Sequence, residues 1–179
     1  MVIEQGLPTL RGAPSFRVVR GALLDGCQKA GFRVLQYSVQ SNHIHLIAEG
    51  HSRLRLARGM QGLGVRIAKR LNRLWKRRGR VFRHRYHDRI LRTPTEVRRT
   101  LLYVLQNARK HGVALGPSAL DPCSSARWFN GWRERRDPVR SPLPSARTWL
   151  LRVGWRIRGL LSAREGPRPM PAAVRGAPP

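Results

Sequence analysis

Acidic side chains are scarce in this chain. Nine Asp and Glu stand against 36 Lys and Arg, which leaves a formal net charge of +27 at pH 7. Too few carboxylates are present to neutralise that charge internally, and self-repulsion on this scale is costly for a compact chain unless a polyanion offsets it. Cysteine is also rare: Cys27 and Cys123 form no C-x-x-C pair, which excludes a disulfide framework. No window reaches the apolar length of a membrane span. The start, M-V-I-E-Q-G-L-P, lacks a basic segment followed by an apolar run, so no signal peptide is expected. A reducing cytoplasm is the expected compartment, with the chain held at the nucleoid.

What the chain has is arginine. Arg outnumbers Lys, which favours fork-like phosphate contacts over point charges. Nucleic acid is therefore the first candidate partner, although a GC-rich genome also inflates Arg and ribosomal proteins are equally basic. Apolar residues at 41% suffice for a small core in one modest domain with tails.

The most informative stretch is Val39 to Glu49, V-Q-S-N-H-I-H-L-I-A-E. Read as extended chain, it places His43 and His45 on one face and Ile44 and Leu46 on the other. Backbones two residues apart lie roughly 7 Å from each other, so two imidazoles can converge on one divalent ion such as Mg²⁺ or Mn²⁺. The alternative is a pair of ordinary half-buried histidines. Two imidazoles alone do not fix the metal.

Around this stretch the pattern predicts a sequence of elements. Met1 to Ser15 reads as irregular, Phe16 to Ala30 as an amphipathic helix ended by Gly31, and two strands follow at Arg33 to Val39 and His43 to Ala48. Residues 51–80 carry eleven Lys or Arg and no acid, with Leu56, Met60, Leu63, Ile67, Leu71 and Leu74 at helical spacing. A long helix is predicted, its first turns weakened by Gly59, Gly62 and Gly64. Arg66, Lys69, Arg70 and Arg73 lie off the apolar stripe. Arg77 to Gly79 reads as a turn, with Lys76 and Arg77 at its start. Val81 to Leu91 is predicted as a strand. A helix from Thr95 to Lys110 is capped by Thr93, Pro94 and Glu96. Trp128, Phe129 and Trp132 are expected to fold back on the core, with Arg133, Arg135 and Arg136 nearby. Ala146 to Leu161 is expected to be a short helix. Residues 166–179 are expected to be disordered. The division is thus 1–114, a basic aromatic extension over 115–165, and the tail.

Chemistry can be placed on these elements. Tyr103 and Asn107 are four apart on one helix and project together. A phenol attacks a phosphodiester if its proton is removed and a metal polarises the phosphate, and Asn107 can offer an amide oxygen to that metal. A core aromatic is the competing reading for Tyr103, since Val97, Leu101 and Val104 are apolar neighbours. Tyr86 is the rival tyrosine, placed on a strand for structure or DNA stacking. The cationic residues Arg66, Lys69, Arg70, Arg73, Lys76 and Arg77 are read as phosphate contacts, against a merely solvated face. Arg83, Arg85, His87, Arg89 and Arg92 are weaker candidates. Trp75 can stack on a base or be buried. Lys110 and His111 are explained by the helix dipole alone.

Several runs together carry a family resemblance: S-V-Q-S-N-H-I-H-L-I-A-E-G, R-G-M-Q-G-L, R-I-A-K-R-L-N-R, G-R-V-F-R-H-R-Y-H and L-R-T-P-T-E-V-R-R-T-L-L-Y-V-L-Q-N-A-R-K-H. The chain resembles the IS200-like single-tyrosine transposases of the HUH type over about residues 7–111, and most closely their REP-associated branch. The resemblance implies an α+β fold, a ferredoxin-like antiparallel sheet with helices on one face. It implies Tyr103 as nucleophile, and His43, His45 and Asn107 as metal ligands. It further implies cleavage and rejoining of single-stranded or hairpin DNA through a 5′-phosphotyrosine link, by a monomer or a homodimer. The family's opening strand is expected to be missing here, because only Met1 to Gly12 precedes Phe16. A non-catalytic nucleic-acid binder and a metallonuclease that cuts with water are the alternatives.

Overall fold

The computed structural model describes residues 1–116, 118–134 and 139–167. Helix α1 runs Ala13–Gly26, with Pro near its start and Val19, Ala22 and Leu23 buried. It ends earlier than its apolar spacing predicts. Gln28–Lys29 instead forms a short strand, β1, paired with the start of β2 (Phe32–Val39). Gly31, at φ +77°, makes the turn between them, a conformation that costs glycine little. It closes a hairpin rather than a helix.

Strand β3 (Ile44–Gly50) runs antiparallel to β2, and the order β1-β2-β3 completes the sheet. The register shifts between Val34 and Gln36. That irregularity reverses the alternation, so Phe32, Val34, Tyr37 and Val39 all join one core cluster with Ile44. The cluster is covered by α1 and by α2 (Arg53–Leu74), which buries Met60, Leu63, Ile67 and Leu71. Ser52 caps α2 through its side chain. Gly59, an apparent weakness by propensity, is where α2 closes on the sheet: a Cβ there would lie 2.1 Å from the Phe32 ring.

The other face of the sheet carries the histidines and is covered by α3 (Pro94–Leu105). Ile47 joins Val97, Leu101, Leu102 and Leu105 in a second cluster. The predicted capping box at Thr93 and Glu96 is formed. The predicted single helix to Lys110 is not. It breaks at Gln106 (φ −109°) and resumes as α4 (Asn107–Lys110). The cause is the Gln106 side chain, which is buried, donates to the Ala163 carbonyl and accepts from Arg109.

Two expectations about strands require correction. Val81 to Leu91 is not a strand: apart from one bridge between Ile3 and Phe82, the segment is irregular. Its Arg and His residues fall on both faces, so neither face offers a continuous apolar side to bury. The opening strand is also not simply missing. Met1 to Glu4 lies extended between β3 and residues 81–83. The Ile44 amide donates to the Met1 carbonyl and Ile3 donates to Asn42, while Arg83 donates to Val2 and Glu4 to Val81.

The C-terminal extension packs back on the core as expected. Phe129 and Trp132 join Trp155, Leu161 and the α3 cluster. The predicted helix over 146–161 splits into α5 (Trp149–Arg152) and a 3-10 turn over Gly154–Arg158. Arg135, Arg136 and nearly all of the tail from residue 166 lie outside the described residues. No described helix is long and apolar enough to cross a membrane.

One ion pair pins the extension to the N-terminal segment. Arg11 makes a bidentate contact to Asp121 at 2.7 and 3.0 Å, and the Asp121 side chain is fully buried. Removing one partner of a buried pair strands the other charge. Asp121→Ala is expected to destabilise the fold by about 3 kcal/mol, read as a lowered chemical-denaturation midpoint at unchanged slope.

Candidate active site

The two histidines reach the α3 side because β3 is extended and because Ser38, opposite His45, is small. His43 precedes β3 and is fixed by its bridge to Val2. The rings converge: Nε2 of His43 lies 3.0 Å from Nε2 of His45. On its far side, His43 Nδ1 is 2.8 Å from the Asn42 side-chain oxygen. An amide oxygen only accepts, so Nδ1 carries the proton and Nε2 of His43 presents a lone pair. Two such nitrogens at this separation need something positive between them. Either His45 donates its own Nε2 proton or a cation takes both lone pairs.

Both rings are held neutral. His43 is lowered to about 4, first by burial and then by nearby positive charge, His111 foremost. His45 is lowered to about 3, first by burial and then by His43. Depressed histidine values mean that the unfolded chain binds protons below pH 6.5 that the folded site refuses. The stability contribution is therefore complete above pH 6.5 and is lost as pH falls toward 4. The thermal midpoint of the metal-free chain is expected to drop across that window, and to drop less in a His43→Gln/His45→Gln double variant.

Tyr103 lies beside this pair. Its ring centroid is 5.3 Å from that of His45, edge to face. It is half-buried and packs at the border of the α3 cluster, so the core and site readings of this residue meet in one place. Two residues dismissed on sequence as dipole-compensating join the group. The Lys110 ammonium is 3.4 Å from the Tyr103 hydroxyl and 5.0 Å from its ring centre. The His111 ring is 5.0 Å from that of His43. Lys110 and His111 follow Tyr103 by seven and eight residues, which keeps them on its side of the helical run across the break at Gln106.

Asn107 is fully buried, and neither its side-chain oxygen nor its nitrogen has a hydrogen-bond partner among the described residues. A buried amide without a partner is costly, which is the kind of vacancy a ligand satisfies. By donor chemistry the converging His43 Nε2 and His45 Nε2 could take a divalent ion, and the Asn107 amide oxygen is a further candidate donor. Among the described residues no three His, Cys, Asp or Glu side chains group to hold a metal ion.

The predicted DNA contacts fall in two places. Lys69, Arg73, Lys76 and Arg77, with Arg78, line an open cationic cleft of about 450 Å³ at the end of α2. Arg70 is instead paired with Asp25 at 2.6 Å, and Arg66 lies along α1 with its buried Nε unpartnered. The second group sits in the irregular segment. Arg83 and Arg85 are exposed, with Arg85 over the Tyr86 ring, and His87 and Arg89 line a cleft beside His45 and Tyr103. Arg89 is paired with Glu96, while the exposed Arg92 uses its backbone amide on the same carboxylate. Trp75 is half-buried and donates to Ser15, which favours its structural reading.

The chain has no significant match among curated proteins or solved structures. A family model described as "Transposase IS200 like" does match, over residues 17–104. The matched span holds most of α1, the whole sheet, α2 and α3 as far as Val104, and it stops short of Asn107, Lys110 and His111. The α+β architecture with its three-stranded antiparallel sheet is consistent with the fold of that family, to which the chain is similar over these residues.

Proposed function

We propose that the protein is a DNA strand transferase that cleaves and rejoins single-stranded, hairpin-bearing DNA through a covalent link to Tyr103. The observation that carries this reading is the Tyr103 ring 5.3 Å from an imidazole whose Nε2 converges on a second Nε2 at 3.0 Å. Few arrangements outside phosphoryl chemistry call for a phenol, two neutral imidazoles and an ammonium in one cleft on so cationic a chain. The family supports transposition of DNA as the setting, with the chain working at the nucleoid.

In this reading His43, His45 and Asn107 hold Mg²⁺ or Mn²⁺, which supplies Lewis-acid polarisation of the scissile phosphate. The chain's own residues do the rest. Asn42 fixes the His43 ring so that Nε2 faces inward. The Tyr103 oxygen, its proton given up to solvent, attacks phosphorus as the bond to the 3′-oxygen breaks; the 3′-oxygen takes up a proton to leave as a hydroxyl, and the phosphodiester energy is kept in the tyrosyl link for rejoining. Lys110 stands where negative charge gathers on the attacked phosphate. Lys69, Arg73, Lys76 and Arg77 grip the backbone of the folded stem.

The direct test is incubation of a labelled hairpin oligonucleotide with the protein and Mn²⁺, followed by a denaturing gel. A band shifted by the mass of the chain supports the reading; cut DNA without an adduct favours a water-using nuclease. Retained binding without cutting favours a non-catalytic relative. Lys110→Met is expected to slow adduct formation about 100-fold while leaving DNA affinity within a factor of about two or three. Lys110→Arg should recover part of the rate.

A further inference from the structure

We infer that Gln40 is an oxygen donor to the cation site, so that the hairpin carrying the two histidines supplies a third donor of its own. The inference rests on the proposed metal at His43 and His45. It adds a donor from the sheet to the one that Asn107 can offer from the helical side.

The pairing of β2 with the histidine segment places Gln40. Its backbone amide donates to the His43 carbonyl at 2.8 Å, with Ser41 and Asn42 as the turn between them. Ser38 is paired with His45, and Val39 with Ile44. Residues opposite one another in an antiparallel pair point to the same face. Ser38 and Gln40 therefore stand beside His45 and His43, about 5.5 Å away at the backbone. Val39 and Ile44 take the other face and join the core under α1 and α2.

Gln40 is 1% exposed, yet its side-chain oxygen has no hydrogen-bond partner among the described residues. Its nitrogen does have one. Nε2 donates to Ser38 Oγ at 2.7 Å, and Ser38 is itself fully buried. That bond anchors the amide by its nitrogen and leaves Oε1 uncommitted. A buried acceptor without a donor is costly. Packing alone does not call for it, because methionine fills a similar volume with no such acceptor to satisfy. What the amide has and methionine lacks is a hard oxygen lone pair. Mg²⁺ and Mn²⁺ favour oxygen donors, so two imidazoles leave either ion short of the ligands it prefers. Gln40 offers such an oxygen from the position paired with His43, and as a neutral amide it offers it at any pH.

The full chain and Mn²⁺ alone suffice for a test. Wild-type protein is titrated, with free Mn²⁺ counted by its electron paramagnetic resonance. His43→Ala/His45→Ala identifies the binding event that belongs to the histidine pair. Gln40→Met is expected to weaken that event about 10-fold or more, while its unfolding midpoint holds or rises because the orphan acceptor is gone. Gln40→Glu is expected to tighten it, since a carboxylate is the stronger donor for the same ions. A merely structural amide predicts another ranking, with the buried charge of the Glu variant at least as harmful as Met. Unchanged affinity in Gln40→Met, or a Glu variant no tighter than the Met variant, overturns the inference and leaves the amide oxygen to a buried water. The wild type also gives a reading that no folding defect imitates. With ¹³C at the glutamine side-chain carbonyl, bound Mn²⁺ should show a ¹³C hyperfine coupling that Gln40→Met lacks; its absence from the wild type overturns the inference. Coupling without any adduct on hairpin DNA would keep Gln40 as a donor and sink the transferase reading alone. An adduct formed by a protein whose Mn²⁺ affinity ignores Gln40→Met would do the reverse. A wild type that binds no Mn²⁺ overturns this inference together with the metal centre it rests on.

Discussion

Tyr103→Phe is expected to abolish the covalent protein–DNA adduct while leaving hairpin binding intact. The substitution removes one oxygen from a half-buried ring whose edge packs against His45. The ring itself stays, so the α3 cluster keeps its contacts and the unfolding midpoint should move little. The lost oxygen is the proposed nucleophile, and removal of a nucleophile typically costs three or more orders of magnitude in rate. Tyr86→Phe is the matched control. Tyr86 lines the same cleft but packs against the other core cluster. Adduct in the Tyr103→Phe protein, or its loss in Tyr86→Phe alone, would move the chemistry to a different residue. Binding should follow the α2 cleft in both variants, because Lys69, Arg73 and Lys76 are untouched.

The strand pair and α2 could be read from sequence because each has one strong local signal. Alternation of Ile44 and Leu46 with the histidines, and a six-residue apolar stripe, point the same way as the tertiary packing. The capping box of α3 is a local device and was equally legible. The failures lie where long-range contacts override local pattern. Residues 81–91 alternate like a strand, yet a strand needs a neighbour to pair with, and among the described residues its backbone bonds run to Val2 and Glu4. The break at Gln106 comes from the Ala163 carbonyl, 57 residues away. Tyr103 and Asn107 were paired on sequence by a four-residue helical step, and the break at Gln106 falls between them. Asn107 goes inward as a buried amide, while Lys110 lies by the phenol and His111 by His43. The histidine pair was thus visible as a motif, whereas the neighbours of Lys110 and His111 are set by tertiary packing that no local pattern carries.

Loss of metal dependence is the second large effect expected. His43→Ala/His45→Ala removes both converging nitrogens. On the proposed reading, adduct yield at saturating Mn²⁺ should fall at least about 100-fold, since even partners that only orient a ligating histidine are worth about 10- to 100-fold. Asn42→Ala tests the orienting contact alone and should fall in that lower range. Direct titration with Mn²⁺ provides a readout apart from activity: the double variant should lose the binding event, and Asn107→Ala should weaken it. The buried amide of Asn107 makes this last variant informative in two directions. If the amide serves only packing, deleting its two unpartnered polar atoms relieves a burial cost and the fold becomes more stable with metal binding unchanged. If it is a ligand, stability of the apo chain still rises, but metal affinity drops. Adduct formation that persists in the double histidine variant with its metal response unaltered would shift polarisation of the phosphate onto Lys110, whose ammonium lies 3.4 Å from the Tyr103 hydroxyl.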